Sequence, residues 1–185
     1  IKLFGAIVHG IGAWAYTVVP TVKMGVNATV EVLHRVLKDL VDMGRTLPPK
    51  LYLQLDNTTK QCKSRFLLGW EGVLVKWKVF EKIHTSFLPV GHTHEDIDQL
   101  FSRFAVKLRR KKAWSRTELG EVMQEAYTYK HTGESVRVGH LETLTNTSGW
   151  LDDTKMVKET RFAQITNWYA FRVYMRQEPE GGTVM

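Results

Sequence analysis

The period of the apolar positions changes along the chain, and the changes mark the elements. Residues Leu3 to Val19 are almost continuously apolar but broken by Gly5, Gly10 and Gly12. This predicts a hairpin, with a strand near Lys2 to Val8, a turn at His9-Gly10-Ile11-Gly12 and a strand near Ala13 to Val19. After Pro20, residues Val30, Leu33, Val36, Leu37, Leu40 and Val41 recur at helical spacing. Asn27 or Thr29 can cap the start of that helix, and Gly44 followed by Pro48-Pro49 ends it. Leu51, Leu53 and Leu55 then alternate with Tyr52 and Gln54 in a short strand that stops at Asp56-Asn57. A second helix is predicted from about Lys60 to Phe80, with Phe66, Trp70, Val73, Leu74 and Trp77 on one stripe, and a strand from Ile83 to Pro89 comes after it. The third helix succeeds a turn at Gly91-His92-Thr93 and turns Ile97, Leu100, Phe101, Phe104, Ala105 and Leu108 inward.

The order strand, strand, helix, strand, helix, strand, helix is that of a layered α/β domain. The remainder of the chain is sparser in pattern: a helix near Thr117 to Lys130, a polar stretch through Asp153, and a strand-like segment near Phe162 to Met175. There Phe171, Val173 and Met175 alternate with Arg172, Tyr174 and Arg176. The expected division is therefore residues 1–130 as the main domain and 131–185 as a C-terminal extension with one or more strands. The tail from Glu178, with Pro179, Gly181 and Gly182, is expected to fray.

At 185 residues the chain is long enough for one domain. A hydrophobic share of 43% with 24% charged residues supports a core and excludes a disordered tail. The opening apolar stretch is shorter than the roughly 20 residues a membrane span needs and contains His9, so no membrane association is expected. A single cysteine, Cys62, excludes an internal disulfide and a cysteine-based zinc site, and points to a reducing compartment. The net charge of +7 favours a polyanionic partner.

Sites in α/β sheets lie at the carboxyl ends of strands, where loops and helix N-termini converge. Asp56 ends one strand, and the cluster His92-Thr93-His94-Glu95-Asp96-Ile97-Asp98 comes after the next. Two carboxylate-bearing turns on neighbouring strands suit one or two hard cations, with an imidazole tolerated in the shell. A strand-ending Asp-Asn is also an ordinary turn, and Thr93 with Asp96 an ordinary cap, so the pairing of the two turns carries the functional reading. If the helix begins near His94, then Asp98 borders the buried stripe beside Ala105, Glu95 faces outward and Asp96 falls on the other side. Asp98 is thus the favoured ligand, with Glu95 as the substitute and His92 as a further ligand.

Between Gln99 and Thr117 there is no acidic residue, while Arg103, Lys107, Arg109, Arg110, Lys111, Lys112 and Arg116 all fall there with Trp114 among them. A cation run after a carboxylate site is the footprint of a phosphate backbone, and the indole could stack on a base. A basic helix end also complements the helix dipole, which is the competing explanation. Cys62, the scattered His9, His34, His84, His131 and His140, and the six tryptophans are read as structural.

The blocks Leu51-Tyr-Leu-Gln-Leu-Asp-Asn57 and Phe87-Leu-Pro-Val-Gly-His-Thr-His-Glu-Asp-Ile-Asp-Gln-Leu-Phe-Ser-Arg103 resemble a domain-of-unknown-function family found in transposon-derived eukaryotic proteins. The resemblance covers roughly Lys2 to Arg110. That family is in turn similar to RNase H-like transposases, built as three strands, helix, strand, helix, strand, helix. Their acidic residues lie on the first strand, after the fourth strand and on the last helix. The resemblance implies an RNase H-like mixed sheet flanked by helices, lacking its first strand here, with a small β-containing extension. Asp56 would be the second acid and Asp98 the third, holding Mg²⁺ or Mn²⁺ for two-metal phosphodiester cleavage and strand transfer on DNA. No Asp or Glu precedes Glu31, so the first acid is missing: either the first strand lies upstream of Ile1 or the site is degenerate. Because that strand is central in the fold, its loss would leave a gap in the sheet. A DNA partner implies a nuclear, or at least intracellular, setting, and homo-oligomerisation is compatible with the sequence. A module that kept the fold and lost the chemistry is the alternative.

Gly91-His92-Thr93-His94 also resembles the last metal motif of calcineurin-like phosphoesterases, and His92-x-His94-x-Asp96 part of the metallo-β-lactamase signature. The former should carry Asp-x-His, Gly-Asp and Gly-Asn-His motifs upstream, and none is present. The latter should carry His where this chain has Ile97.

Overall fold

The computed structural model describes residues 2–56, 62–88, 96–155 and 165–175. In chain order the elements are β1 (Lys2–Val8), β2 (Gly12–Val18), α1 (Val26–Asp42), β3 (Lys50–Leu55), α2 (Arg65–Lys76) and β4 (Lys82–Phe87). They continue with α3 (Asp96–Arg110), α4 (Arg116–Ala126), β5 (Arg137–Leu141), α5 (Thr147–Asp153), a short 3₁₀ turn (Ile165–Asn167) and β6 (Ala170–Tyr174). Among the described residues the strands form two three-stranded mixed sheets, ordered β1-β2-β5 and β3-β4-β6. In the first, β1 is antiparallel and β5 parallel to the central β2. In the second, β3 is parallel and β6 antiparallel to the central β4. The segment after residue 130 thus contributes one edge strand to each sheet.

The hairpin forms as its glycines predict, with Gly10 at φ 78° in the turn and Val8 accepting from the Ile11 amide at 3.0 Å. All seven residues of β2 are buried, because both faces of this central strand are covered. Trp14, Tyr16 and Val18 pack against Val32, Val36 and Leu40 of α1, while Ala13 and Ala15 meet Leu100 and Phe104 of α3 and Leu119 and Met123 of α4. Each large side chain buried here contributes about 1.5 to 3 kcal/mol relative to exposure. The Trp14 indole N–H is satisfied by Asp39 Oδ2 at 2.9 Å, which ties β2 to α1.

The second sheet is covered on one face only. Leu51, Leu53, Leu55, Ile83 and Val173 pack with Val30 of α1, Leu67 and Trp70 of α2 and Leu151 of α5. The strict alternation in β3 puts Lys50, Tyr52 and Gln54 on the other, exposed face. Helix α1 therefore serves both sheets from one wide apolar surface, and Leu37 packs against both cores.

Several boundaries differ from the pattern-based reading. Helix α1 starts earlier, after Gly25, with no side-chain cap. Asn27 lies inside it and accepts instead from the Ser148 amide at 2.9 Å, at the start of α5. Helix α2 starts at Arg65, where Ser64 accepts from the Phe66 amide, and ends at Lys76 because Lys78 turns to φ 59°. Helix α4 ends at Ala126 rather than Lys130. Strand β5 and helix α5 lie in what reads as a polar stretch. No described helix is long and apolar enough to cross a membrane.

Candidate acid-lined cleft and basic shoulder

Strand β1 and strand β3 are the edges of their sheets, and a cavity of about 910 Å³ opens between them. Thr29, Val32 and Leu33 of α1 line it together with Ile97 and Phe101 of α3. Helix α3 sits directly on β1 at Gly5, where a Cβ would lie 2.6 Å from Ile97 Cδ1 and 2.8 Å from Phe101 Cζ. The absence of a side chain at Gly5 lets the helix approach this closely without displacing those side-chain ends, and the approach brings the first turn of α3 to the cavity.

Ionisable side chains reach this space from the hairpin turn, the end of β3 and the start of α3. Asp56, just beyond β3, and Asp98, in the first turn of α3, both line the cavity and both are exposed. Asp96 and His9 line it as well, with His9 Nδ1 4.0 Å from Asp96 Oδ2. Asp56 and Asp98 thus both line one cleft. The structure corrects the assignment of Asp96 to the other side of the helix: as the first residue of α3 it projects at the cleft mouth. It also corrects the place of Ala105, which is exposed rather than on the inner stripe; Leu100 and Phe104 are the buried pair. His92 and Glu95, with the Thr93 cap and the predicted helix start at His94, lie outside the described residues.

The donor set fits a hard cation by its chemistry, since Asp56, Asp98 and Asp96 offer carboxylate oxygens. Among the described residues no group of three or more ligating side chains is close enough to hold a metal ion. Cys62 is buried and also borders the cavity.

The uncovered face of the second sheet continues the cleft with Tyr52, Gln54, His84 and Arg172. The Tyr52 and His84 rings stack at 4.9 Å with 28° between planes, and Tyr52 is 70% exposed. Partial burial, then the cations Lys82, Arg172 and Lys50, hold the His84 imidazole below its ordinary pKa, so this face carries its positive charge on Lys and Arg. His84 reads from the sequence as merely structural; the strand alternation that turns Tyr52 outward was the available signal.

Helix α3 runs from the acidic mouth to a basic end over 15 residues, roughly 22 Å at the usual rise per residue. The basic residues there are not equivalent. Lys107 and Lys111 both engage Glu125 of α4, at 3.3 and 2.6 Å, and Arg116 pairs with Glu142 at 2.8 Å. The hydrogen bond to Glu125 raises the Lys111 pKa and its counterpart lowers that of Glu125. Arg103, Arg109 and Arg110 are exposed and make no ion pair with a described residue. Lys112 lies over the Trp114 ring at 5.8 Å, and Trp114 is 84% exposed.

These features define an α/β domain of two small mixed sheets with an acid-lined cleft at their junction and a basic shoulder along α3. Its kinship is specific: residues 1–184 match the model of a family described as a domain of unknown function, DUF7869, and the chain belongs to that family. No curated protein and no solved structure matches it.

Proposed function

We propose that the domain is an RNase H-like module of transposon origin that acts on DNA, with Asp56 and Asp98 as the carboxylates of a metal-dependent phosphodiester-cleaving site. The single observation that carries this reading is that Asp56 at the end of β3 and Asp98 at the start of α3 line one cavity. They reach it from different elements, β3 and α3, so the two turns could contribute oxygens to one cation shell. Mg²⁺ or Mn²⁺ bound there would supply charge neutralisation and an activated oxygen nucleophile. Asp56 and Asp98 would hold it, with Asp96 available at the same mouth. Arg103, Arg109, Arg110 and Lys112 would position the phosphate backbone along α3, and Trp114 would stack on a base.

A second reading, a binding module without chemistry, is favoured by the lack of a three-ligand cluster among the described residues. It leaves the basic shoulder as the functional surface. One experiment separates the two: plasmid and oligonucleotide cleavage with Mg²⁺ or Mn²⁺, beside DNA binding, for the chain and for Asp56→Asn and Asp98→Asn. The enzyme reading expects metal-dependent nicking that falls at least 100-fold in either variant while binding persists. Salt-sensitive binding with no nicking under any metal assigns the chain to the second reading, and neither activity overturns both.

A further inference from the structure

The outer face of the second sheet sets rings and cations side by side. Strand alternation sends Leu51, Leu53, Ile83 and Val173 to the inner face, where α1, α2 and α5 pack, and the residues between them to the outer one. The pairing register aligns these outer residues in rows across the three strands. Lys50, Lys82 and Tyr174 make one row, and Tyr52, His84 and Arg172 make the next. Neighbouring strands stand about 4.8 Å apart and alternate residues about 7 Å, so the two rows occupy a patch of roughly 10 by 7 Å.

Within the patch the rings are held but not hidden. The Tyr52 and His84 rings stack at 4.9 Å, and Lys82 Nζ lies 5.4 Å from the centre of the Tyr174 ring. Both tyrosines nevertheless keep most of their surface in solvent, Tyr52 at 70% and Tyr174 at 60%. A ring already steadied by a neighbour loses little further rotamer freedom when a second flat group stacks on it. The two rows carry the cations Lys50, Lys82 and Arg172 and no carboxylate.

We propose that this face is a platform for single-stranded nucleic acid, on which Tyr52 and Tyr174 stack with bases while Lys50, Lys82 and Arg172 meet phosphates. Rings interleaved with cations match a polymer that alternates flat bases with anionic links. A duplex does not match, because its bases stack on one another and offer only their edges in the grooves. A second copy of the same face would set cations against cations, which is repulsive. The platform is built on β3, β4 and β6, so it requires neither the basic shoulder of α3 nor a metal at Asp56 and Asp98. Its next row begins at Gln54, paired with Ser86 and two residues before Asp56, so a strand crossing the face leads toward the acid-lined cleft. That continuation alone rests on the cleavage reading given above.

The test is fluorescence anisotropy with labelled oligothymidylate, a duplex of the same length, and an oligothymidylate whose bases are replaced by abasic sites. Tyr52→Thr and Tyr174→Thr should each weaken oligothymidylate binding about 10-fold or more, whereas Tyr52→Phe and Tyr174→Phe should bind as the parent does. Threonine keeps the strand propensity at these exposed positions, and circular dichroism checks that the fold persists. The abasic oligonucleotide should bind the parent more weakly and should not distinguish the tyrosine from the threonine variants. Lys50→Gln with Arg172→Gln should lower the magnitude of the salt slope for the single strand by roughly 0.7 per lost contact. Duplex affinity should not change in any of these variants, while Arg109→Gln with Arg110→Gln should lower it if α3 carries the duplex. Unchanged single-strand affinity in the threonine variants overturns the proposal, as does an equal loss for single strand and duplex. Displacement by polyglutamate as effective as by unlabelled oligothymidylate also overturns it and assigns the face to an acidic peptide. Duplex binding and metal-dependent nicking are read separately from these results, so the platform and the cleavage site fail independently.

Discussion

The Thr85 hydroxyl of β4 donates to Glu71 Oε1 of α2 at 2.6 Å, wholly inside the protein, while Glu71 Oε2 has no partner among the described residues. Both residues are buried, Glu71 completely. Desolvation dominates the balance against the single hydrogen bond and pushes the Glu71 carboxyl up to about 7 from 4.5.

This makes folding stability depend on pH with a definite sign. Below pH 4.5 both states hold the proton. Between 4.5 and about 7 the native protein keeps a proton that the unfolded chain has lost, so stability falls as pH rises, by at most about 3 kcal/mol. Above 7 the loss is complete and the curve levels. Glu71→Gln keeps an acceptor for Thr85 and removes the titration. Urea midpoints at pH 5 and pH 8 should differ for the parent and converge for the variant; an unchanged difference in Glu71→Gln would place the titration elsewhere.

The contact of Gly5 with α3 should be sharply size-dependent. A Cβ there meets Ile97 Cδ1 and Phe101 Cζ inside van der Waals distance, but both are side-chain ends that can shift. Gly5→Ala should therefore cost about 1 kcal/mol, and Gly5→Val, overpacking the seam, about 1 to 3 kcal/mol. Adding Phe101→Leu to Gly5→Val should recover part of the loss in a double-mutant cycle of chemical denaturation. Additive losses would mean that the two residues do not share the seam.

Trp14 and Asp39 offer a similar test across another layer. Trp14→Phe retains most of the buried surface but removes the 2.9 Å hydrogen bond, leaving a half-buried carboxylate without that donor. The expected loss is about 1 to 3 kcal/mol, with Asp39→Asn cushioning it because a neutral amide is cheaper to leave unpaired. Thermal unfolding of the two single variants and the double variant reads the coupling.

Legibility in the sequence depends on the range of the interactions that make each element. The hairpin, α1, β3, β4 and α3 are legible because their apolar period is local. Strand β5 is not, because Arg137, Gly139 and His140 give no alternation. It exists through its pairing with β2, where Gly139 lies under the Tyr16 ring so closely that a Cβ would be 2.6 Å from it. Helix α5 is seven residues with Gly149 inside and depends on Asn146, whose side chain accepts from the Gly149 amide at 3.1 Å. That Asp56 and Asp98 line one cavity could be anticipated from two strand ends. The approach of His9 to Asp96 could not, since a hairpin turn and a helix start distant in sequence meet only through the packing of α3 on β1.

The division of the basic residues leads to the last expectation. Lys107, Lys111 and Arg116 already face Glu125 and Glu142, so a phosphate must compete with a carboxylate for each of them. Arg103, Arg109, Arg110 and Lys112 have no such ion-pair competitor among the described residues. Replacing these four by Gln should lower the magnitude of the salt slope for duplex DNA by roughly 0.9 per lost contact and weaken binding to all sequences alike. Replacing Lys107, Lys111 and Arg116 should change it less, and should leave stability nearly unchanged because these surface pairs are worth little. The helix should survive both sets, because Leu100 and Phe104 provide its buried packing and Gln is a comparable helix former. Fluorescence anisotropy at several salt concentrations, with circular dichroism as the check on folding, separates the sets. An equal effect of the two would mean that the ion pairs to Glu125 and Glu142 open freely in solution, and no effect of either would place DNA away from α3.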